Sequence, residues 1–289
     1  MATRERSGRN RRRAARRTRP TRGSAPRQRS DLAARILAAL PAIALALFLV
    51  IEGGVVFAAG VLLFGAICLH ELFAMYDRVH PVRLAGFMGL AGLIAAAHYG
   101  GQYQILLVAV CVLPLLFAFT LMQPRPSLGG LALTLLGVYW IGFAFAHAVL
   151  LRALPHGLGI VIDVLVGTYL GDTGAYLGGR LFGRRQLAPA ISPGKTVEGL
   201  IIGMACAVLG VWLAGRYQDW LPTTHALVLG IGVAVAAPVG DLFESFVKRE
   251  AHAKDSGGLF GAHGGALDRL DATLFTVVVG YYIWAAYVH

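Results

Sequence analysis

Charge is scarce in this chain. Asp, Glu, Lys and Arg supply 14% of its 289 residues and hydrophobic residues 57%, whereas a soluble domain carries about 25% charged residues. A surface that meets water on all sides cannot be built from that supply, which excludes an ordinary soluble protein and leaves an integral membrane protein. Cysteine is scarcer still. Cys68, Cys111 and Cys206 stand singly inside apolar runs without a C-x-x-C pair, which excludes a disulfide framework and a thiolate metal site. Histidine pairs at metal-ligand spacing are missing as well: His70, His98 and His147 are isolated in or near apolar runs and read as structural.

Residues 1–30 lack aromatics and hold one acid, Glu5, against twelve arginines. Their net charge of +11 equals that of the whole chain, so residues 31–289 balance 14 basic against 14 acidic groups. The high overall charge therefore gives no ground for a nucleic-acid partner. With so little apolar surface to bury, residues 1–30 are expected to be disordered. They read as a topogenic tail that holds the N-terminus in the cytoplasm; the alternative is attraction to anionic headgroups, about 1 kcal/mol per basic residue.

Windows of about 20 apolar residues, the length that crosses the hydrocarbon core, occur near 33–51, 54–75, 84–98, 103–121, 128–150, 157–178, 198–216, 224–246 and 270–287. The third is short, and the sixth runs into GDTGAYLGG. With the N-terminus inside, the cytoplasmic connections hold eleven basic residues (Arg78, Arg83, Arg125, Arg180, Arg184, Arg185, Lys195, Lys248, Arg249, Lys254 and Arg269) and the outer ones two, Arg152 and Arg216. That asymmetry obeys the positive-inside rule. The expectation is an all-α polytopic protein of the cell membrane with about nine transmembrane helices, N-terminus cytoplasmic and C-terminus outside. Its parts would be the tail 1–30, spans one to five in 31–155, and spans six to nine in 156–289.

The last third concentrates acids in places where an acid costs about 2.5–3.5 kcal/mol unless it is partnered. Asp163, Asp172, Asp241, Glu244 and, earlier, Glu71 all lie in or beside apolar runs. Asp241, Glu244, Ser245 and Lys248 recur at i, i+3, i+4 and i+7 and share a helical face. Asp268 and Asp271 open the ninth span with Arg269 between them. Carboxylates brought together in a low dielectric need protons, cations or basic partners, and an oxygen-only donor set suits a hard ion, Mg²⁺ first. A proton relay or an interhelical ion pair would use the same residues.

The segment KREAHAKDSGGLFGAHGGALDR joins those two helices. It carries three basic residues in its first seven positions and then five glycines. Glycines admit backbone N–H groups to an anion, and Lys and Arg neutralise phosphate, so metal and loop together describe a polyphosphate site at the membrane surface. A second basic, Gly-rich segment ends in SPGKTVEG. Its SPGKT is not a Walker motif, because the required first glycine is Pro189 and no strand is expected before it. Ser192 or Thr196 is expected to cap the seventh span, with Glu198 behind it. Lys195 sits at a helix start that disfavours cations, which points to an anionic partner. Asp172, between Gly171 and Gly174, reads equally as a ligand or as a cap at a helix break, and Pro238 is expected to kink its helix just before Asp241.

The stretch from Ser245 to Asp271 closely resembles the signature of phosphatidate cytidylyltransferases, also called CDP-diacylglycerol synthases. About fifteen specified positions agree over 27 residues: Ser245, Lys248, Arg249, Lys254, Asp255, Gly257, Phe260, Gly261, His263, Gly264, Gly265, Asp268, Arg269 and Asp271 among them. Ala266 departs, standing where the signature prefers a larger aliphatic residue. SPGKTVEG and GDTGAYLGGRLFG resemble two further family segments, so the specific likeness covers roughly residues 170–275. The resemblance implies an enzyme that joins CTP to phosphatidic acid, releasing pyrophosphate, dependent on Mg²⁺ and acting as a homodimer with its site facing the cytoplasm. It leaves open a second, monovalent cation. Asp241 and Asp268 are then expected as metal ligands with Asp271 as a third carboxylate. Lys248, Arg249, Lys254 and Arg269 would meet phosphates or nearby acids, and Arg269 could equally neutralise its neighbouring aspartates. Ser245 belongs to the same substrate-facing set, His263, Gly264 and Gly265 would line the nucleotide pocket, and Ser192 and Lys195 would hold the second phosphate. The competing readings are a cytidylyltransferase for another membrane phosphate and an ion-coupled transporter.

Overall fold

A computed structural model of the protein describes residues 41, 43–257 and 264–288. The chain divides into two units, 1–45 and 46–289, and the helices from Gly54 onward belong to the second. The expected disorder of residues 1–30, the first half of the apolar window at 33–51, and His263 lie outside the described residues.

The elements are helices α1 (Ile43–Glu52), α2 (Gly54–Met75), α3 (Arg83–Tyr99), α4 (Gln102–Leu121), α5 (Leu128–Ala153) and α6 (Gly157–Phe182), a hairpin of strands β1 (Gln186–Ala188) and β2 (Ser192–Thr196), then α7 (Val197–Gly215), α8 (Thr223–Glu250) and α9 (Leu267–Val288). The fold is all-α apart from this antiparallel hairpin. Among the described residues seven helices, α2 and α4 to α9, are long and apolar enough to cross a bilayer, and the protein is a multi-pass membrane protein. The α3 helix is shorter, at 17 residues.

The outward sides of these helices carry large apolar side chains, as a bilayer requires. In α4 the large side chains Leu106, Leu107, Val110, Leu113 and Phe117 point outward while Ile105, Ala109, Val112 and Leu116 are buried. Within α5, Val138–Gly142 forms one turn of π-helix, which sets Trp140 edge-on against Phe243 of α8 at 4.8 Å between ring centroids. At the ends remote from the hairpin, His156 stacks on Trp220 and His225 on Tyr287, an aromatic grouping of the kind found at a membrane–water boundary.

The GDTGAYLGG stretch is not a break. Helix α6 runs through it to Phe182 because its glycines serve close packing against α7. A Cβ on Gly174 would lie 2.6 Å from Cys206 Sγ, one on Gly178 2.7 Å from Ile202 Cδ1, and one on Gly203 2.7 Å from Ala175 Cβ. Small residues at this spacing let two membrane helices approach backbone to backbone. Asp172 is consequently a mid-helix residue and not a cap. Pro238 lies inside α8, which continues to Glu250, and it removes the N–H that would have served the carbonyl of Ala234.

Candidate active site

Three elements bring their polar residues to one end of the bundle because each changes character within a turn. Helix α8 leaves its apolar stretch at Asp241, α9 begins at Leu267, and the hairpin between α6 and α7 folds back beside them. Thr196 caps α7, its hydroxyl accepting from Gly199 N–H at 3.1 Å, as expected. Glu198 in the first turn accepts from the backbone N–H groups of Arg184 and Arg185, at 2.9 and 3.2 Å. The hairpin is tied to α8 by Arg249, whose Nε donates to the Ile191 carbonyl at 3.1 Å. The C-terminal end of α8 is held in turn from the α2–α3 connection, where Tyr76 Oη donates to the Val247 carbonyl at 2.7 Å and Arg78 to that of Glu250 at 3.1 Å.

Between α6, the hairpin, α7 and α8 lies a cavity of about 490 Å³. Four carboxylates reach it, Asp172, Asp241, Asp268 and Asp271, together with two cations, Lys195 and Arg180. Lys195 on β2 forms an ion pair with Asp241 at 2.6 Å. Its buried Nζ makes no further hydrogen bond among the described residues, although an ammonium carries three donors. Asp172, Asp241 and Asp271 come from α6, α8 and α9 and are close enough for their charges to repel one another. The deeper wall is apolar and small, with Ala234, Ala237 and Pro238 of α8 facing Gly203 and Ala207 of α7.

Beside the cavity is a second, drier cluster. Lys248 forms ion pairs with Glu244 at 2.5 Å and with Asp268 at 2.7 Å, and the Glu244 side chain is only 1% exposed. Asp268 Oδ2 accepts from Ser256 N–H at 2.9 Å, Ser256 Oγ at 3.0 Å and Gly265 N–H at 2.7 Å. Asp268 Oδ1 accepts from Lys248 Nζ at 2.7 Å, and a carboxylate oxygen has capacity for more than one ligand. Glu71, from α2, takes the next amides: Oε1 accepts from Ala266 N–H at 3.0 Å and Oε2 from Leu267 N–H at 2.9 Å, and Oε2 shares the single Ser256 hydroxyl, 3.1 Å away, with Asp268.

Of the residues singled out from sequence, the cavity gathers Lys195, Asp241, Asp268 and Asp271. Ser192 and Ser245 are half-buried, and Arg249 and Lys254 exposed; none of these four lines the cavity. Arg269 is exposed and has an interaction of its own. Gly264 and Gly265 are both buried, and the Gly265 amide donates to Asp268. Lys248 is engaged by two nearby acids, one of the two kinds of partner expected for it. Sequence reasoning missed the position of Arg180 on the cavity and the partners of Glu71. The buried acid was itself the signal for the latter, but its partners stand up to 196 residues away.

The donor set suits a hard cation. Four carboxylates against two cations leave excess negative charge that a triphosphate would meet as repulsion unless a cation intervened. Among the described residues no three His, Cys, Asp or Glu close on a single point. Mg²⁺ does not require that, since it characteristically takes one or two carboxylates and completes its shell with phosphate oxygens and water.

Residues 33–287 match the family model described as "Cytidylyltransferase family". The chain is 32% identical over 267 residues to the phosphatidate cytidylyltransferase of Bacillus subtilis (strain 168), covering 89% of this chain and 99% of the relative. It is 32% identical over 252 residues to the protein of the same name from Staphylococcus aureus (strain COL), covering 84% and 95%. Over 250 residues it is 29% identical to that from Staphylococcus saprophyticus, covering 84% and 95%.

Proposed function

The chain belongs to the cytidylyltransferase family and is a nucleotidyltransferase, and from that premise we propose that it transfers the cytidylyl group of CTP to phosphatidic acid, forming CDP-diacylglycerol and pyrophosphate. The observation that carries this reading is the pairing of Lys195 with Asp241 at the rim of a carboxylate-lined cavity. It places a cation with unspent donors beside groups able to hold Mg²⁺, which is the chemistry a polyphosphate substrate needs.

An oxygen of the lipid phosphate attacks the α-phosphorus of CTP. A new P–O bond forms there as the bond from the α-phosphorus to the bridging β-oxygen breaks, and pyrophosphate leaves with the electron pair. A phosphate monoester loses its second proton at a pKa of about 6, so the nucleophile is already ionised and no general base is required. Catalysis is positioning and charge stabilisation. Asp241 and Asp271, with Asp172 and the remaining capacity of Asp268 Oδ1, would hold Mg²⁺, which when bound neutralises charge on the phosphoryl oxygens. Lys195 and Arg180 would meet phosphate directly, and the exposed Arg249 and Lys254 add positive charge to the same α8 end and the loop that follows it. Lys248 fixes Asp268 instead of binding substrate.

The eleven-to-two distribution of basic residues supports nine spans, an N-terminus and active site on the cytoplasmic side, and residence in the cell membrane. A homodimer is the assembly that the family resemblance implies.

Incorporation of labelled CTP into lipid by the purified protein, with phosphatidic acid and Mg²⁺, tests the reading. CDP-lipid is expected from wild type, and loss of it in folded Asp241→Asn and Asp268→Asn. Activity with another membrane phosphate but not with phosphatidic acid would reassign the acceptor, and no product with any of them would overturn the reading.

A further inference from the structure

Glu71 belongs to α2, far outside the stretch that carries the family signature, yet its carboxylate reaches the loop that joins α8 to α9. Both oxygens are used: Ala266 and Leu267 donate their backbone N–H groups and Ser256 its hydroxyl. The side chain is buried, with the residue 6% exposed. The two amides are those at the start of α9, which have no partner within the helix, and a carboxylate there also meets the favourable end of the helix dipole.

The glycines around it are shaped to the same purpose. A Cβ on Gly257 would lie 2.6 Å from Glu71 Oε1, and one on Gly265 would overlap Ser256 Oγ and Glu71 Oε2. The loop is thus short of side chains at the places where Glu71 enters. Ser256 links this seat to the reaction centre, because its one hydroxyl lies within reach of both Glu71 and Asp268. One helical turn beyond Leu267, Asp271 lines the cavity.

We propose that Glu71 is a positioning residue for cytidylyl transfer: it fixes the first turn of α9, so that Asp268 and Asp271 hold their place at the cavity. The inference rests on the cytidylyltransferase reading of the site. It assigns a catalytic consequence to the N-terminal half of the chain without any contact between that residue and substrate.

The prediction separates Gln from Ala. In Glu71→Gln the amide oxygen still accepts from one backbone N–H and the new NH₂ donates to Ser256 Oγ, whose hydrogen turns to Asp268; one amide of the pair is lost. In Glu71→Ala all three partners are lost. A misplacement of about 1 Å at reacting groups costs on the order of 100-fold in rate, so kcat is expected to fall by about 10-fold in Glu71→Gln and by about 100-fold in Glu71→Ala. The KM for CTP should change far less, and the half-saturating Mg²⁺ concentration should rise. Thr134→Val serves as the comparison, because Thr134 is equally buried and bonds Val82 N–H and the Gly130 carbonyl away from the site; it should lower stability and leave kcat per folded molecule as in wild type. Hydrogen exchange over residues 264–268 gives a readout independent of turnover and should quicken in the Glu71 variants but not in Thr134→Val. If Glu71→Ala fails to accumulate as folded protein, Glu71→Gln decides by the same criteria. An active wild type whose folded Glu71 variants keep its kcat, Mg²⁺ dependence and exchange pattern overturns this inference alone. A wild type that makes no CDP-lipid overturns the reading of the site and this inference with it.

Discussion

Lys195 and Asp241 stand 2.6 Å apart although one lies on a β-hairpin and the other on the seventh helix to follow α1. The pair closes the hairpin over the cavity and gives Lys195 a reason to sit one residue before the cap of α7, where the helix dipole disfavours it. Asp241 remains 36% exposed at its side chain, so the pair can open toward a ligand.

Removing that lysine should cost more than a surface ion pair is worth. Lys195→Ala is expected to lower kcat/KM for CTP by about 100-fold, the range seen when one preorganised donor to a reacting group is deleted. In a double-mutant cycle with Asp241→Asn read by thermal unfolding, the losses should fall short of additive, because the two residues share one interaction.

Gly264 should tolerate no side chain. It adopts φ +79°, and a Cβ would lie 2.5 Å from Asp268 Oδ2. The left-handed conformation alone costs an L-residue about 1–2 kcal/mol. Gly264→Ala is expected to lower the unfolding temperature modestly and to reduce CDP-lipid formation more severely, because the displaced group is Asp268. Thermal unfolding in detergent, run beside the turnover assay, separates the two effects.

The seam between α6 and α7 makes a prediction about stability alone. Gly178→Ala forces a methyl against Ile202, and overpacking of this kind costs about 1–3 kcal/mol. Shortening the neighbour in Gly178→Ala/Ile202→Ala should recover part of the loss, as read by the midpoint of thermal unfolding.

Tyr76 carries a pH dependence. Burial, reinforced by the charge of Glu250 and opposed by Arg78, raises its phenol above the ordinary value of 10. The folded protein thus favours the neutral phenol, which donates to the Val247 carbonyl. The stability it contributes is complete below the unfolded pKa and is lost as pH rises through the higher folded value. Tyr76→Phe is expected to lower stability by about 1 kcal/mol at neutral pH and to flatten the alkaline limb of a stability profile followed by chemical denaturation at several pH values.

What could be read from the sequence was whatever lay close together in it. The apolar windows gave the helices, because span length is set by the bilayer and not by tertiary detail. Thr196 was legible as a cap from its neighbours alone, and the i, i+3, i+7 spacing placed Asp241, Glu244 and Lys248 on one face. Gly171, Gly174 and Gly178 misled for a physical reason: glycine reads as a breaker locally, whereas its use here is to bring α7 close, and nothing near Gly174 in sequence announces Cys206 opposite it. Lys195 signalled an anion without saying which one. The glycines after Lys254 signalled an anion too, and the anions they admit among the described residues are Glu71 and Asp268.

Glu71 also has a history within each molecule's synthesis. It enters the bilayer when α2 is made, while Ser256, Ala266 and Leu267 are still to be translated, and an acid in hydrocarbon without partners is unfavourable by about 2.5–3.5 kcal/mol. That deficit is relieved only when the last helix docks. A chain cut short before α9 would therefore leave the Glu71 carboxylate without the Ala266 and Leu267 amides that satisfy it.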